Sequence, residues 1–231
     1  MIANMSHELK TPLNSIIALS QLLQEDDSNG QQEEKSYGDI INASGNELLQ
    51  MINDILDISK VETGKMEIIW EMVSIEEMIQ LINYQFIPIT KQKALQFQVD
   101  VEANVADSFI SDAQRLIQIL RNLLINAVKF TEQGSISLRV RMNDNPQSRC
   151  IVFSVQDTGI GIDLDKQHLI FEAFQQENGA STRRYGGTGL GLSISLKLAG
   201  LLGGSLTMES VKGKGSRFTL SLPLQQVVQE A

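Results

Sequence analysis

The chain has 231 residues, of which 42% are hydrophobic, and a formal net charge of −9 at pH 7. Such a length and composition are typical of one large or two small globular domains. The negative charge argues against nucleic-acid binding as the main activity, since proteins that read nucleic acids present a basic surface. No stretch reaches the roughly 20 apolar residues of a membrane span, and the N-terminus lacks the layout of a signal peptide. Cys150 is the single cysteine, which excludes an intramolecular disulfide and a cysteine-based zinc cluster and favours a reducing cytoplasm.

The first predicted element is a helix from Ile2 to about Glu25, in which apolar residues recur at helical spacing. It contains the segment MSHELKTPLN, residues 5–14, where the acid-flanked His7 precedes Pro12. A proline inside a helix costs roughly 3 kcal/mol, because it removes an amide hydrogen bond and crowds the preceding turn. We therefore expect the helix to kink or loosen one turn below His7.

A second helix is predicted after the turn-forming segment EDDSNGQQ, residues 25–32. Its apolar stripe alternates steps of four and three residues, as in a coiled coil. The stripe consists of Tyr37, Ile41, Ser44, Leu48, Met51, Ile55 and Ile58. Ile40, Ile52 and Leu56 widen this face beyond what a hairpin of roughly 60 residues can bury by itself. We therefore predict a homodimer in which two hairpins form a four-helix bundle, with packing on the rest of the same chain as the alternative.

The sequence pattern changes after VETGK, residues 61–65. Six segments of alternating or β-rich composition are predicted as strands: KMEIIW, ALQFQVDVE, GSISLRVRM, CIVFSVQD, GSLTMES and GSRFTLSLPL. Helices are predicted between them at Ser74 to Lys91, Asp112 to Phe130 and Leu190 to Leu201. The expected fold class is α+β, with a helical hairpin in residues 1–63, a sandwich of a mixed sheet and helices on one face in residues 64–225, and a tail in residues 226–231.

A polar stripe marks the predicted helix from Asp112 to Phe130. Asn122, Asn126 and Lys129 fall on one face at helical spacing, separate from the apolar stripe. Asparagine is a poor helix former, so two asparagines one turn apart suggest a role beyond helix formation. Amide oxygens suit Mg²⁺ and a lysine suits phosphate. An ordinary solvated face has the same spacing, and this motif alone leaves both interpretations open.

Two glycine-containing segments follow. CIVFSVQDTGIGI carries a predicted strand into Asp157, Gly159 and Gly161. A carboxylate there can accept a hydrogen bond from an exocyclic amine, and glycines let the backbone approach a planar ring, although many tight turns look the same. GGTGLGLSI, residues 186–194, is a glycine-rich turn that opens a helix, whose free amides can bind phosphate. It matches neither a P-loop nor a dinucleotide-binding fingerprint.

Between these segments lies FEAFQQENGASTRRY, residues 171–185. Phe171 and Phe174 are expected to be packing anchors, and the polar run that follows them is expected to be a mobile lid. Arg183 and Arg184 on this lid can reach a triphosphate, although two loop arginines are more often simply solvated.

Taken in order, these motifs resemble those of sensor histidine kinases of two-component signalling. MSHELKTPLN is similar to the family's phosphoacceptor box, QILRNLLINAVKFT to its asparagine box, DTGIGI and GGTGLGL to its two glycine boxes, and FEAF to its phenylalanine box. The resemblance spans nearly the whole chain and implies a dimeric helical hairpin joined to an ATP-binding sandwich of the gyrase and MutL type. It also implies ATP and Mg²⁺ as ligands and a response-regulator receiver domain as partner. We expect a cytoplasmic location, with sensor and transmembrane segments either missing or carried by a longer parent.

For the phosphoacceptor box, the resemblance implies that His7 accepts the γ-phosphoryl group and that Glu8 is its base and orienter. Unperturbed imidazole has a pKa of about 6.5, so it is largely neutral near pH 7 and can attack phosphorus. The resemblance links Thr11 to phosphatase activity, and one turn below His7 its hydroxyl can position a water. Our hypothesis for Pro12 is that it weakens the helix, so that the bundle bends between states.

For the nucleotide, the resemblance implies that Asn126 ligates Mg²⁺, that Asn122 and Lys129 line the phosphate and metal site, and that Asp157 binds the adenine amine. The other residues expected to contact or shape the pocket are Phe130, Gly159, Gly161, Arg183, Arg184, Gly187, Thr188, Gly189, Leu190 and Gly191. Either of the two arginines is a candidate for the phosphate contact.

Two other functions compete with autokinase activity as interpretations of these motifs. An ATPase of the gyrase and MutL type would carry a catalytic glutamate where this chain has Asn122, and it has no need of an acid-flanked histidine. A non-catalytic dimeric scaffold would show degenerate motifs, whereas every motif position is filled here.

Overall fold

The computed structural model describes residues 13–20, 31–143, 149–172 and 189–224. The chain divides into two compact units, residues 1–66 and 67–231. The first unit is helical, and the second combines helices with a five-stranded sheet. None of the helices in the described ranges combines the length and the apolar character needed to cross a membrane.

The first unit contains helix α1, described at residues 13–20, and helix α2, Gln31–Glu62. Every residue of the apolar stripe predicted for the second helix is buried or half-buried. Helix α2 ends where Gly64 adopts a φ of +65° and the Lys65 amide donates to the Lys60 carbonyl oxygen at 2.9 Å. This is the glycine-dependent helix end of a Schellman motif.

A second apolar stripe on α2 stays exposed in the single chain. It consists of Leu49, Ile52 and Leu56, whose side chains are 57%, 42% and 52% exposed. We call these three residues the outer stripe. Asp54 is buried, which the apolar stripe does not predict; its carboxylate accepts a hydrogen bond from Gln50 Nε2 at 2.7 Å, one turn earlier.

The second unit contains a two-stranded and a five-stranded sheet. Its elements are β1 Glu71–Ser74, α3 Ile75–Gln92, β2 Gln96–Val101, β3 Ser108–Ser111, α4 Ala113–Phe130, β4 Ser135–Asn143, β5 Cys150–Asp157, a 3₁₀ turn Leu164–Lys166, α5 Gly191–Leu201, β6 Ser205–Val211 and β7 Gly215–Pro223. The five-stranded order is β2-β4-β5-β7-β6, with β2 and β4 parallel and the other pairs antiparallel. Helices α3, α4 and α5 pack side by side against it, which confirms the α+β class and the mixed sheet.

The segment KMEIIW is not a strand, so that prediction was wrong. Pairing begins only at Glu71, which lies opposite Ser111 in the small antiparallel sheet of β1 and β3. The backbone amide of Ile69 instead donates to Asp112 Oδ2 at 3.0 Å. The backbone amide of this segment is therefore hydrogen-bonded by a side-chain carboxylate and not by a neighbouring strand.

Helix α4 lies at the centre of the second unit's core. Asp112 caps its N-terminus by accepting from the Arg115 amide at 3.0 Å. The predicted apolar stripe is completely buried, and burial of each such side chain is worth roughly 1.5–3 kcal/mol. Its members are Leu116, Ile119, Leu120, Leu123 and Leu124. Because this face fixes the rotation of α4, it also fixes where the polar stripe of the same helix lies.

Candidate nucleotide-binding site

The polar stripe of α4 is half-buried at all three positions, whereas neighbouring Arg121 and Ile125 are exposed. The side-chain amide of Asn122 donates to the Gly191 carbonyl oxygen at 3.2 Å and to Ser195 Oγ at 3.3 Å. Asn122 therefore attaches the middle of α4 to the first turn of α5.

The next member of the stripe, Asn126, has no side-chain hydrogen-bond partner among the described residues. Its carboxamide oxygen is thus an available neutral ligand, one turn from Asn122. Lys129 lies one further turn along, with its ammonium group 4.8 Å from the centre of the Phe130 ring, within the range of a cation–π contact.

The C-terminal end of α4 contacts the loop after β5. The Phe130 carbonyl oxygen accepts a hydrogen bond from the Ile160 amide at 3.2 Å. Asn122 and Phe130 are eight residues apart, which corresponds to about 12 Å along a helix. Helix α4 therefore contacts the DTGIGI loop with its C-terminal end and the start of α5 with its middle, and Asn126 and Lys129 lie between these two contacts.

Glycines are required in the DTGIGI loop for two different reasons. A Cβ atom at Gly159 would collide with the Phe130 carbonyl oxygen, so the loop approaches α4 this closely only without a side chain. Gly161 has a φ of +61°, which other residues rarely adopt. A Cβ there would also collide with the Val211 carbonyl oxygen. The loop therefore fits between α4 and the end of β6 only because both of these predicted positions are glycines.

Asp157 ends β5 and is a buried residue, with only 7% of its surface exposed. Its Oδ1 accepts hydrogen bonds from the amides of Gly159, at 2.8 Å, and Ser216, at 3.3 Å. Burial raises the pKa of Asp157 above its usual range, and the two amide hydrogen bonds offset part of this effect. The second oxygen, Oδ2, takes no part in these two bonds and remains available to a ligand.

The hairpin of β6 and β7 also contributes to the site, and the sequence motifs did not reveal it. Ser210 Oγ accepts from the Ile162 amide at 2.8 Å and lies 2.9 Å from Ser216 Oγ. Ser216 is buried, and its amide is the one that contacts Asp157. The only sequence signal was a run of small residues, Gly215 and Ser216, at the start of a predicted strand.

At the start of α5, Gly189 has a φ of +64°, which permits the turn into the helix. The Leu190 side chain is almost fully buried, and its carbonyl oxygen accepts from Ser193 Oγ at 2.8 Å. The Leu190 side chain therefore belongs to the core, and this residue contributes to the site through its backbone.

Several predicted residues lie outside the described residues. They are His7, Glu8, Thr11, Pro12, Phe174, Arg183, Arg184, Gly187 and Thr188. Phe171 is described, and its ring packs edge-on against Phe218, with 6.4 Å between ring centres. It is thus a packing anchor.

Comparisons with known proteins match both units. The family model described as His Kinase A (phospho-acceptor) domain matches residues 1–64. The model described as Histidine kinase-, DNA gyrase B-, and HSP90-like ATPase matches residues 111–226. Among curated proteins, the chain is 40% identical over 226 residues to the autoinducer 2 sensor kinase/phosphatase LuxQ of Vibrio harveyi. That match covers 97% of this chain and 26% of LuxQ, so the chain spans about a quarter of that relative.

Two solved structures are also similar. Full-length ShkA in complex with AMPPNP is 30% identical, with a TM-score of 0.73 over 97% of this chain and 46% of that one. The histidine kinase ThkA, solved in complex with the response regulator protein TrrA, is 22% identical and shares the fold, with a TM-score of 0.71 over 97% of this chain and 61% of ThkA. The chain therefore belongs to the sensor histidine kinases of two-component systems.

Proposed function

We propose that this chain is an ATP-dependent protein-histidine autokinase that phosphorylates His7 and passes the phosphoryl group to an aspartate of a response regulator. One observation carries the proposal. Helix α4 connects a glycine loop with a buried carboxylate, Asp157, to the first turn of α5. This arrangement occurs in a chain whose residues 1–64 match a phosphoacceptor domain.

The adenine of ATP binds at Asp157. Oδ1 is held by two backbone amides, so Oδ2 is the oxygen that accepts a hydrogen bond from the exocyclic amine. The close approach of the loop to α4 at Gly159 leaves backbone, and not side chains, next to the base. The phosphates then lie towards Asn126 and the start of α5, where free helix amides favour negative charge.

The residues present fit a magnesium ion bound together with the nucleotide. Mg²⁺ prefers oxygen ligands and usually combines one or two protein groups with phosphate oxygens and water. Asn126 offers such an oxygen, since its side chain has no hydrogen-bond partner among the described residues. The ion would neutralise charge on the phosphates. Lys129 supplies a second positive charge from the same face of α4, and Asn122 keeps the start of α5 next to that face.

At His7, the lone pair of Nε2 attacks the γ-phosphorus, an N–P bond forms, and the bond to the ADP oxygen breaks. Glu8 holds the proton on Nδ1, which keeps Nε2 free, and offsets the imidazolium charge that develops. A second activity, the removal of phosphate from the regulator by hydrolysis, is assigned to Thr11, which positions the attacking water. LuxQ is described as both kinase and phosphatase, which supports including this second activity.

The working unit is a homodimer in the cytoplasm. The outer stripe exposes three large apolar side chains at helical spacing on α2, next to the stripe already buried within the chain. Exposed Leu13 and Ile17 on α1 add a similar pair. A second copy that packs against these faces would complete a four-helix bundle. The single cysteine is compatible with a reducing compartment.

The main rival is an ATPase that releases free phosphate. Asn122 is an amide that donates to Gly191 and Ser195, and an amide cannot take a proton from water near neutral pH. This observation favours transfer to a histidine over hydrolysis.

The test is incubation of the full chain with ATP labelled in the γ-phosphate. We expect protein-bound label that is acid-labile, stable in base and lost in His7→Gln. The matched control is His168→Gln, since His168 is the other histidine of the chain and is exposed. Label that persists in His7→Gln, or free phosphate as the only product, would refute the proposal.

A further inference from the structure

Ser210 lies on β6 with its hydroxyl at the junction of three elements. Its Oγ accepts from the Ile162 amide of the glycine loop at 2.8 Å. It also lies 3.0 Å from the Gly215 carbonyl oxygen and 2.9 Å from Ser216 Oγ, its cross-strand neighbour on β7. Gln167 reinforces the same junction, because its Nε2 donates to the carbonyl oxygens of Ile162 and Ser210 at 3.1 and 2.9 Å.

These three contacts determine the direction of the serine–serine hydrogen bond. A hydroxyl has one proton and two acceptor positions. The Gly215 carbonyl oxygen can only accept, so the proton of Ser210 goes there. The Ile162 amide can only donate, and it takes one acceptor position. The remaining position is an acceptor, so Ser216 must donate its own proton to Ser210.

The direction of this hydrogen bond affects what the atoms next to Asp157 can offer a ligand. Ser216 is the residue whose amide holds Asp157 Oδ1 at 3.3 Å. Because its hydroxyl proton is directed at Ser210, its oxygen keeps only lone pairs for any other partner. Asp157 Oδ2 is likewise an acceptor when the carboxylate is ionised. A ligand that reaches both Ser216 Oγ and Asp157 Oδ2 would thus meet two acceptors, which suit an amino group and oppose a carbonyl oxygen.

We propose that Ser210 is a positioning residue for nucleobase selectivity, which keeps Ser216 an acceptor and so favours a 6-amino purine over a 6-oxo purine. The inference rests on the proposed function, because it assumes that a purine nucleotide binds at Asp157. Ser210 acts through Ser216 and the glycine loop.

The experiment measures the affinities of ATP and of inosine triphosphate, ITP, for the full chain by titration calorimetry. In Ser210→Ala, the Ser216 proton loses its acceptor and is free to donate to a 6-oxo group. We expect the ratio of ATP to ITP affinity to fall about tenfold, as for the gain or loss of one hydrogen bond. The matched control is Ser205→Ala, the same substitution at an exposed position of the same strand, which should keep the wild-type ratio.

The double variant Ser210→Ala/Ser216→Ala separates selectivity from general damage. Without the Ser216 hydroxyl there is no proton that could be donated to the 6-oxo group of ITP. The gain in ITP binding expected in Ser210→Ala should therefore disappear. A purely structural role would weaken both nucleotides equally in Ser210→Ala and leave the ratio unchanged, which would overturn the inference. If the wild-type chain binds neither nucleotide, the proposed function fails, and this inference fails with it.

Discussion

The side-chain amide of Asn122 donates to the carbonyl oxygen of Gly191 at 3.2 Å and so joins two residues that are 69 positions apart in the sequence. The same amide donates to Ser195 Oγ at 3.3 Å, and that hydroxyl donates to the Gly191 carbonyl oxygen at 2.8 Å. The first turn of α5 therefore depends on a donor at position 122.

Replacement of Asn122 should destabilise the second unit. Asn122→Ala loses two neutral hydrogen bonds, each worth about 1 kcal/mol, so the free energy of unfolding should fall by about 1–2 kcal/mol. Asn122→Asp should cost more, because it places a carboxylate against a carbonyl oxygen. Urea denaturation measures both, with Arg121→Ala on the exposed face as control. Equal stability of the alanine and aspartate variants would contradict the role of position 122 as a donor.

Asp157→Asn should abolish tight nucleotide binding without harm to the fold. Two backbone amides point at Oδ1, so the carboxamide oxygen must take that place and the NH₂ group must replace Oδ2. A donor then faces the adenine amine, and ATP affinity should fall at least about tenfold. Calorimetry checks this, with Asp165→Asn at an exposed position as control. Wild-type affinity in Asp157→Asn would place the adenine elsewhere.

ATP affinity should depend on the protonation of Asp157. Its pKa is raised by burial, so affinity should begin to fall on acidification at a higher pH than for an ordinary aspartate. The stability of the nucleotide-free protein should change with pH in the opposite direction. A raised pKa of Asp157 in the folded protein stabilises the fold at pH values below the pKa of the unfolded chain. This stabilisation is lost as pH rises through the pKa of the folded protein. Wild type should therefore lose stability relative to Asp157→Asn as pH rises through that window. Parallel pH profiles of the two proteins would contradict this.

The gain in ATP affinity on addition of Mg²⁺ should depend on the side chain of Asn126 and not on that of its exposed neighbour Ile125. In Asn126→Ala, the gain in ATP affinity on addition of Mg²⁺ should shrink about tenfold, because an oxygen ligand is lost. In EDTA the variant and wild type should bind alike, which separates the metal from the nucleotide. Ile125→Ala, at the exposed neighbouring position, is the control. An equal response to Mg²⁺ in Asn126→Ala would exclude Asn126 as the ligand.

The outer stripe should control the oligomeric state. Leu56→Asp places a charge among exposed apolar side chains and should shift the chain from dimer to monomer in sedimentation equilibrium. Ala43→Asp, at an exposed position on a different face of α2, should remain dimeric. If Leu56→Asp stays a dimer at the same concentration, the subunits associate through another surface.

Local patterns predicted the parts of this protein whose structure is decided locally. The predicted stripe from Leu116 to Leu124 and the predicted bounds Asp112 to Phe130 describe α4 almost to the residue. KMEIIW failed because its composition favours a strand, whereas the backbone amide of Ile69 is bound by Asp112, 43 residues away. The strands β1 and β3 have four residues each, too short for an alternating pattern to reveal.

The sequence by itself determined the order of motifs, the family they belong to and the buried faces of α2 and α4, because helical and strand periodicities are properties of neighbouring residues. Only the tertiary structure decided that Asn122 donates to the first turn of α5 and that the Phe130 carbonyl oxygen accepts from the glycine loop. It also decided that Ser210 accepts from that loop and that the Ser216 amide donates to Asp157. These contacts join residues 30 to 73 positions apart. Hydrogen bonds of that kind form only after the elements have packed, so no local pattern encodes them.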